Sequence, residues 1–178
     1  MTPTKKVVLI TTTTAAAPIV ANRFIGFDGK TAFPENNEEW LANLNYIDFL
    51  REIGSHFSVN KMLSFESYKM RLENGLSFLE FNYQLLQSYD FLELNRRYGV
   101  MVQLGGDEQW GNMVAGADLI RRKGGEQVEA FTIPILTKAD GQKMGKTEDG
   151  ALFLDADIVS AYKFFQYWRN VEDSEVKK

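Results

Sequence analysis

Apolar residues follow two different rhythms along this chain. In residues 1–35 they form short runs. Val7-Val8-Leu9-Ile10 predicts a strand. A threonine- and alanine-rich patch follows, from Thr11 to Ala17, and Pro18 closes it. Around Asp28-Gly29 the apolar residues alternate, from Phe24 to Ala32, which predicts a hairpin. Pro34-Glu35-Asn36-Asn37 marks the expected junction with the rest of the chain.

Beyond that junction helical spacing takes over. Ile47, Leu50 and Ile53 share one face of a helix ending near Gly54. Residues 64–73 predict a second helix, stopped at Asn74-Gly75. Ser77 is placed to cap a third and longer helix running through Arg97. Glu80 would complete a capping box there, and Gly99 would end the helix. The apolar stripe of this helix includes Leu79, Tyr83, Leu86, Tyr89, Phe91 and Leu94. Val100–Leu104 predicts a strand, Trp110–Arg122 a helix, Phe131–Leu136 a strand, Thr137–Asp149 a polar loop and Ser160–Trp168 an aromatic helix. Strands alternating with helices predict an α/β fold with parallel crossovers.

Composition narrows the classes. An apolar fraction of 44% and a charged fraction of 25% suit a globular domain with a real core. The net charge of -4 means that any contact with a polyanion must come from a local basic cluster. There are no cysteines and one histidine, so disulfide scaffolds and the usual zinc sites are not expected, and no metal-ligating residue is assigned. No run approaches the length of a membrane span, and no membrane partner is expected.

Three constellations could carry chemistry. Tyr83, Gln87 and Asp90 stand at i, i+4 and i+7 on one face of the long helix. A phenol, an amide and a carboxylate there can hold an ammonium group, or they can form a solvated stripe beside the core. Gly105-Gly106 follows a strand and precedes a helix, so a ligand can approach the backbone closely. Asp107 and Glu108 could then accept from ribose hydroxyls and Gln109 could bond a carbonyl, although a plain strand–helix turn reads the same way. Lys143 and Lys146 lie in Asp140-Gly141-Gln142-Lys143-Met144-Gly145-Lys146-Thr147, either a loop that closes over a triphosphate or a surface turn. A P-loop is rejected, because only three residues separate Gly141 from Gly145. Arg121-Arg122-Lys123 could touch a phosphate backbone, or simply favour the helix dipole. His56 is expected to pack or cap rather than catalyse.

Taken in order, these residues resemble the bacterial type of tyrosyl-tRNA synthetase. The likeness runs through Asn36-Asn37, Trp40-Leu41, Ile47–Arg51, His56–Asn60, Gly75–Phe78, Leu86–Phe91, Gly105-Gly106, Gln109–Asn112 and Lys143–Thr147. It implies a Rossmann-like class I aminoacyl-tRNA synthetase fold, a partial parallel sheet with flanking helices. The implied enzyme is a cytoplasmic, homodimeric ligase of protein biosynthesis. It activates tyrosine with ATP, releasing pyrophosphate, and esterifies tRNA(Tyr); Mg2+ is expected to accompany the ATP.

By the same resemblance Tyr83, Gln87, Asp90, Gln103, Gln109 and Asn37 belong to a tyrosine pocket. Gly105, Gly106, Asp107, Glu108, Ile135, Leu136 and Lys146 belong to an ATP site. Lys143, Lys146 and Thr147 match the family's KMSKS loop, Arg121 and Arg122 its acceptor-stem contact, and the region of Phe78 its dimer contact. Where the family carries Asp, position 108 carries Glu.

The family's HIGH motif and first strand are not visible before residue 36. Residues 36–178 are therefore expected to be the second half of a catalytic domain, with weak or absent adenylation by this chain alone. Residues 1–35 are expected to be a hairpin-like leader, and Ala21–Gly29 is similar to the opening of small phage head-decoration proteins. A non-catalytic binding or structural module derived from the same fold is the alternative.

Overall fold

The computed structural model describes residues 7–11, 27–30, 32–134 and 155–171. Strand β1 (Val7–Thr11) pairs in parallel with β2 (Ala32–Asn36), from Val7 opposite Ala32 to Thr11 opposite Asn36. The first arm of the expected hairpin, residues 24–26, lies outside the described residues. Asp28 Oδ1 accepts from the backbone N–H groups of Lys30 (2.8 Å) and Ala32 (3.1 Å), and Gly29 takes φ +68°. The Asp-Gly pair therefore makes a local turn that feeds β2. The partner of β2 comes from farther up the chain, and β2 itself crosses residue 35.

Four short helices follow: α1 (Glu38–Leu41), α2 (Tyr46–Glu52), α3 (Val59–Leu63) and α4 (Glu66–Leu72), with a 3-10 turn at Gly54–His56. Asn45 starts α2 by accepting from the backbone N–H groups of Ile47 and Asp48. The helix expected over 64–73 forms as α4, Glu66–Leu72, with its start set back by two residues. Ser64 Oγ donates to the Lys61 carbonyl at 2.7 Å, and Phe65 turns extended, with φ -70° and ψ 138°. The Phe65 ring lies against Gly111, where an added Cβ would meet Cγ of the ring at 3.3 Å.

Helix α5 (Phe78–Tyr98) starts at the predicted capping box, with Ser77 and Glu80 bonding each other's backbone N–H. It ends where Gly99 adopts φ +67° and its N–H returns to the Asn95 carbonyl at 2.9 Å. Strand β3 (Val102–Gly106), a 3-10 turn (Asp107–Gln109), α6 (Trp110–Arg122) and β4 (Glu129–Ile133) then form a parallel β-α-β unit, with Val102 opposite Glu129 and Gly106 opposite Ile133. Helix α7 (Ala161–Arg169) is capped by Ser160. Among the described residues all strand pairing is parallel and falls into two two-stranded sheets.

The core lies between α5, α6 and the short helices, and includes Phe49, Ile53, Met62, Leu85, Phe91, Leu92, Leu119 and Ile120. Each such side chain contributes about 1.5–3 kcal/mol by leaving water. Gly116 lets α5 and α6 approach; a Cβ there would sit 3.1 Å from Phe91 Cδ1 and 3.4 Å from Ser88 Cα.

The apolar stripe on α5 is buried only in part. Leu79 is 74% exposed and Tyr83 43%, while Gln84, Leu85, Ser88 and Leu92 are buried. The reason is that α5 has neighbours on two sides. Helix α6 covers one, while Trp40 and β2 cover another near its C-terminal end, where Phe33 meets Tyr98 edge-on at 5.0 Å. Glu35 also accepts from the Tyr98 hydroxyl, which pushes the phenol up to about 12. No described helix is long and apolar enough to cross a membrane.

Candidate functional site

Asp90 projects from the middle of α5 and is 2% exposed. Its Oδ1 accepts from Trp40 Nε1 at 2.7 Å, and its Oδ2 accepts from Asn37 Nδ2 at 3.1 Å. Both donors are neutral, and among the described residues no cation pairs with this carboxylate. Burial raises the Asp90 carboxyl above the usual carboxylate range; the bonds from Trp40 and Asn37 oppose that rise. The indole of Trp40 is held in turn. The Arg97 guanidinium lies 5.0 Å from its ring centroid, and Arg97 Nε donates to Glu93 at 3.0 Å. The arrangement is a buried anion, oriented by hydrogen bonds, with its charge uncompensated.

One turn earlier on α5, Gln87 faces α6. Asn112 Nδ2 donates to Gln87 Oε1 at 3.1 Å and to Gln109 Oε1 at 3.2 Å, so one amide links the long helix to the turn after β3. Gln103, on β3, has a buried Oε1 with no protein partner. A buried amide oxygen left this way favours a ligand donor or a water.

Side chains crowd both paired glycines. A Cβ on Gly105 would come within 2.8 Å of Met113 Sδ and 3.2 Å of Gln109 Cβ, and one on Gly106 would collide with the Glu108 carboxylate. Glu108 is therefore the acid folded against the end of β3. Asp107 and Glu108 are both exposed, as is Tyr83, which has no hydrogen-bond partner among the described residues. So the structure joins Asp90 to Asn37 and Gln87 to Gln109, and leaves Tyr83 open to solvent.

A second charged group lies at the far end of α6. Asp118 takes Arg121 on Oδ1. On Oδ2 it takes Arg122 Nη2 at 3.0 Å and Lys61 Nζ, from α3, at 3.5 Å. Arg122 Nη1 also donates to the His56 carbonyl at 2.8 Å. Partial burial opposes ionisation of Asp118, but the three cations outweigh it and hold the carboxyl below its usual range. The group stands beside a cleft of about 440 Å³, mouth included, whose walls include Met62, Phe65, Leu119, His56, Lys61 and Gln84. Gln84 is fully buried. Its Nε2 donates to the Gly111 carbonyl at 2.9 Å, while its Oε1 has no partner.

Lys143, Lys146, Thr147, Ile135 and Leu136 lie outside the described residues. Sequence reasoning did not assign Trp40, Asn112, Gln84 or Asp118. Asn112 sits three residues after Gln109, and Asp118 three and four residues before Arg121 and Arg122, so helical spacing could have flagged both. Nothing local points to Trp40 or Gln84.

A parallel β-α-β unit with a glycine pair at the end of its first strand, and a polar cluster facing it from a long helix, is an α/β arrangement in which ligands sit at the carboxyl ends of the strands. The sequence model described as tRNA synthetases class I (W and Y) matches residues 2–178, and the chain belongs to that family. The match includes β1, β2 and Ala21–Gly29, for which a likeness to phage proteins was expected.

Within the family the chain is similar to tyrosine--tRNA ligases. That of Treponema pallidum (strain Nichols) is 66% identical over 165 residues, 92% of this chain and 40% of the relative. That of Clostridium kluyveri is 59% identical over 157 residues, 88% of this chain and 39% of the relative. The chain thus spans about two fifths of the length of these relatives. Among solved structures, a C-terminally truncated mitochondrial tyrosyl-tRNA synthetase of Coccidioides posadasii superposes with a TM-score of 0.69 at 26% identity, covering 89% of this chain and 49% of the other. Tyrosyl-tRNA synthetase from Aeropyrum pernix, at 16% identity and a TM-score of 0.59 over 79% of this chain and 46% of the other, shares the fold.

Proposed function

We propose that this chain is part of a tyrosine–tRNA ligase, and that residues 36–178 supply one wall of its tyrosyl-adenylate site. The observation that carries the proposal is Asp90, a buried carboxylate whose hydrogen-bonding partners are neutral. Such a group stabilises an incoming ammonium strongly, because little water screens the pair. In this reading Asp90 and Tyr83 receive the tyrosine amino group. Gln87, Gln103 and Gln109 fix its orientation, and Asn37 holds Asp90.

Gly105 and Gly106 admit the nucleotide backbone, and Glu108, with Asp107 beside it, meets the ribose. Ile135, Leu136, Lys143, Lys146 and Thr147 are assigned to ATP on sequence resemblance. Mg2+ belongs to the proposal as the companion of the ATP phosphates, and no residue is assigned to hold it. The tyrosine carboxylate then attacks the α-phosphate. The protein contributes position and charge rather than a covalent step. The same reading makes tRNA(Tyr) the acceptor, through Arg121 and Arg122, and implies a cytoplasmic homodimer. Residues 1–35, which the sequence pattern sets apart as a leader, contribute β1 and most of β2.

Calorimetric titration of the protein with tyrosine, and separately with phenylalanine and tyramine, tests the pocket. Tyramine keeps the ammonium and should bind, whereas 3-(4-hydroxyphenyl)propionate, which lacks it, should not. Equal binding of both would remove Asp90 from its assigned role. Tyrosine-dependent exchange of pyrophosphate into ATP tests the activity.

A further inference from the structure

Asp118 does not have a natural partner so much as too many. Three cations from two helices converge on one carboxylate, leaving the group with net positive charge on a chain whose total is negative. The Lys61 and Arg121 side chains are 58% and 70% exposed, so their heads reach solvent while their charge is held inward. The Asp118 side chain is only 22% exposed. Arg122 is further fixed by the His56 carbonyl, which ties α6 to the turn before α3.

We propose that Asp118 is a specificity-determining residue of an RNA-phosphate site: an internal anion that occupies the Lys61–Arg121–Arg122 cluster until a phosphate displaces it. The proposal rests on the reading that this family member binds RNA. It goes further in adding Lys61 to the site and in giving a carboxylate, not a cation, the discriminating role. A tethered carboxylate competes at a high effective concentration. A lone phosphate therefore gains little from the exchange. A backbone whose phosphates meet two or three of these cations together gains several charge-assisted bonds at once. Polyanions with the wrong spacing are rejected because Asp118 is already there.

The test is fluorescence anisotropy of a labelled RNA hairpin built on an acceptor stem with a single-stranded 3′ end. An unrelated RNA duplex of equal length serves as comparison, and both are titrated over a series of potassium chloride concentrations. Wild type, Asp118→Asn and Lys61→Gln are compared, with thermal melting as the check on folding. Removing the internal anion should tighten binding of both RNAs several-fold at low salt. It should steepen the salt dependence by about one unit of log–log slope, as one more phosphate is neutralised, and narrow the gap between the two RNAs. Lys61→Gln, at an exposed position, should make the slope shallower by about one unit.

Failure of the wild type to bind either RNA would remove the RNA-binding reading itself. If the wild type binds but neither substitution moves the slope, or if Asp118→Asn weakens binding while melting normally, Asp118 is a structural tie and this inference alone falls. Should Asp118→Asn fail to fold, the Lys61→Gln slope decides.

Discussion

Asp90 and Asp118 stand on packed neighbouring helices and hold their charges in opposite ways. Asp90 is buried, bonded by an indole and an amide, and pairs with no cation among the described residues; its carboxyl is pushed up by burial. Asp118 is partly open and surrounded by three cations, and its carboxyl is held down despite its burial. The difference teaches what each site lacks. The first is short of positive charge and is suited to a ligand bearing an ammonium group. The second has positive charge to spare and is suited to a ligand bearing phosphates. Neither acid is interchangeable with the other, although both are aspartates within long helices.

Substitutions that erase this contrast should have the largest effects. Asp90→Asn keeps a carbonyl for Trp40, removes the charge and puts an NH2 group opposite Asn37, whose amide must turn over to accept from it. Tyrosine affinity should fall by about 2–3 kcal/mol, roughly 30- to 150-fold, while the melting temperature holds or rises, because an uncompensated buried charge is gone. Calorimetry and thermal melting on the same preparation read both numbers, and a fall in both would show that Asp90 serves the fold instead.

Trp40→Phe leaves Asp90 Oδ1 without its donor. It should destabilise the protein by about 1–3 kcal/mol and weaken tyrosine binding about tenfold. Chemical denaturation measures the first effect, titration the second. Asn112→Ala cuts the amide link between Gln87 and Gln109, and calorimetric titration should show tyrosine binding weakened about three- to fivefold, since the change loosens orientation rather than charge.

The smallest effect concerns pH, where the two acids should act with opposite signs. Asp118 has a lowered pKa in the folded state, so its stabilisation is complete above the ordinary carboxylate value and is lost as pH falls through the lowered one. Asp90 has a raised pKa, so the folded state takes up its proton first. Stability should therefore rise as pH falls through the raised value toward the ordinary one. Melting temperature against pH should show a shallow maximum on the acid side of neutrality. Asp90→Asn should remove the rising limb, and Asp118→Asn should blunt the fall at lower pH. A wild-type profile unchanged by Asp90→Asn would contradict the Asp90 half of this account.

Much of the helical framework was legible in the sequence. The capping box at Ser77 and Glu80, the glycine stop at Gly99, the limits of α6 and the Ser160 cap on α7 are all local signals, read within one turn of the residues that make them. The Arg121–Asp118 and Arg122–Asp118 pairs are equally local, at i+3 and i+4, yet a run of basic residues on its own does not reveal that its charge is already engaged. Helix α4 was legible, whereas the short α3 was not, and α4 starts only after Phe65, which turns extended to lie against Gly111, a residue far along the chain.

What the sequence by itself determined is thus helices α2, α4, α5, α6 and α7, the glycine pair ending β3 and the identity of the polar groups on α5. These depend on backbone sterics, capping and periodicity over a few residues. The tertiary structure alone decided that β2 pairs in parallel with β1, that Lys61 joins the arginines on Asp118, and that Asp90 meets Trp40 and Asn37 from 50 and 53 residues away. A carboxylate's charge state, and so the ligand it suits, is set by burial and by the groups brought against it, and neither is written in its own neighbourhood of the chain.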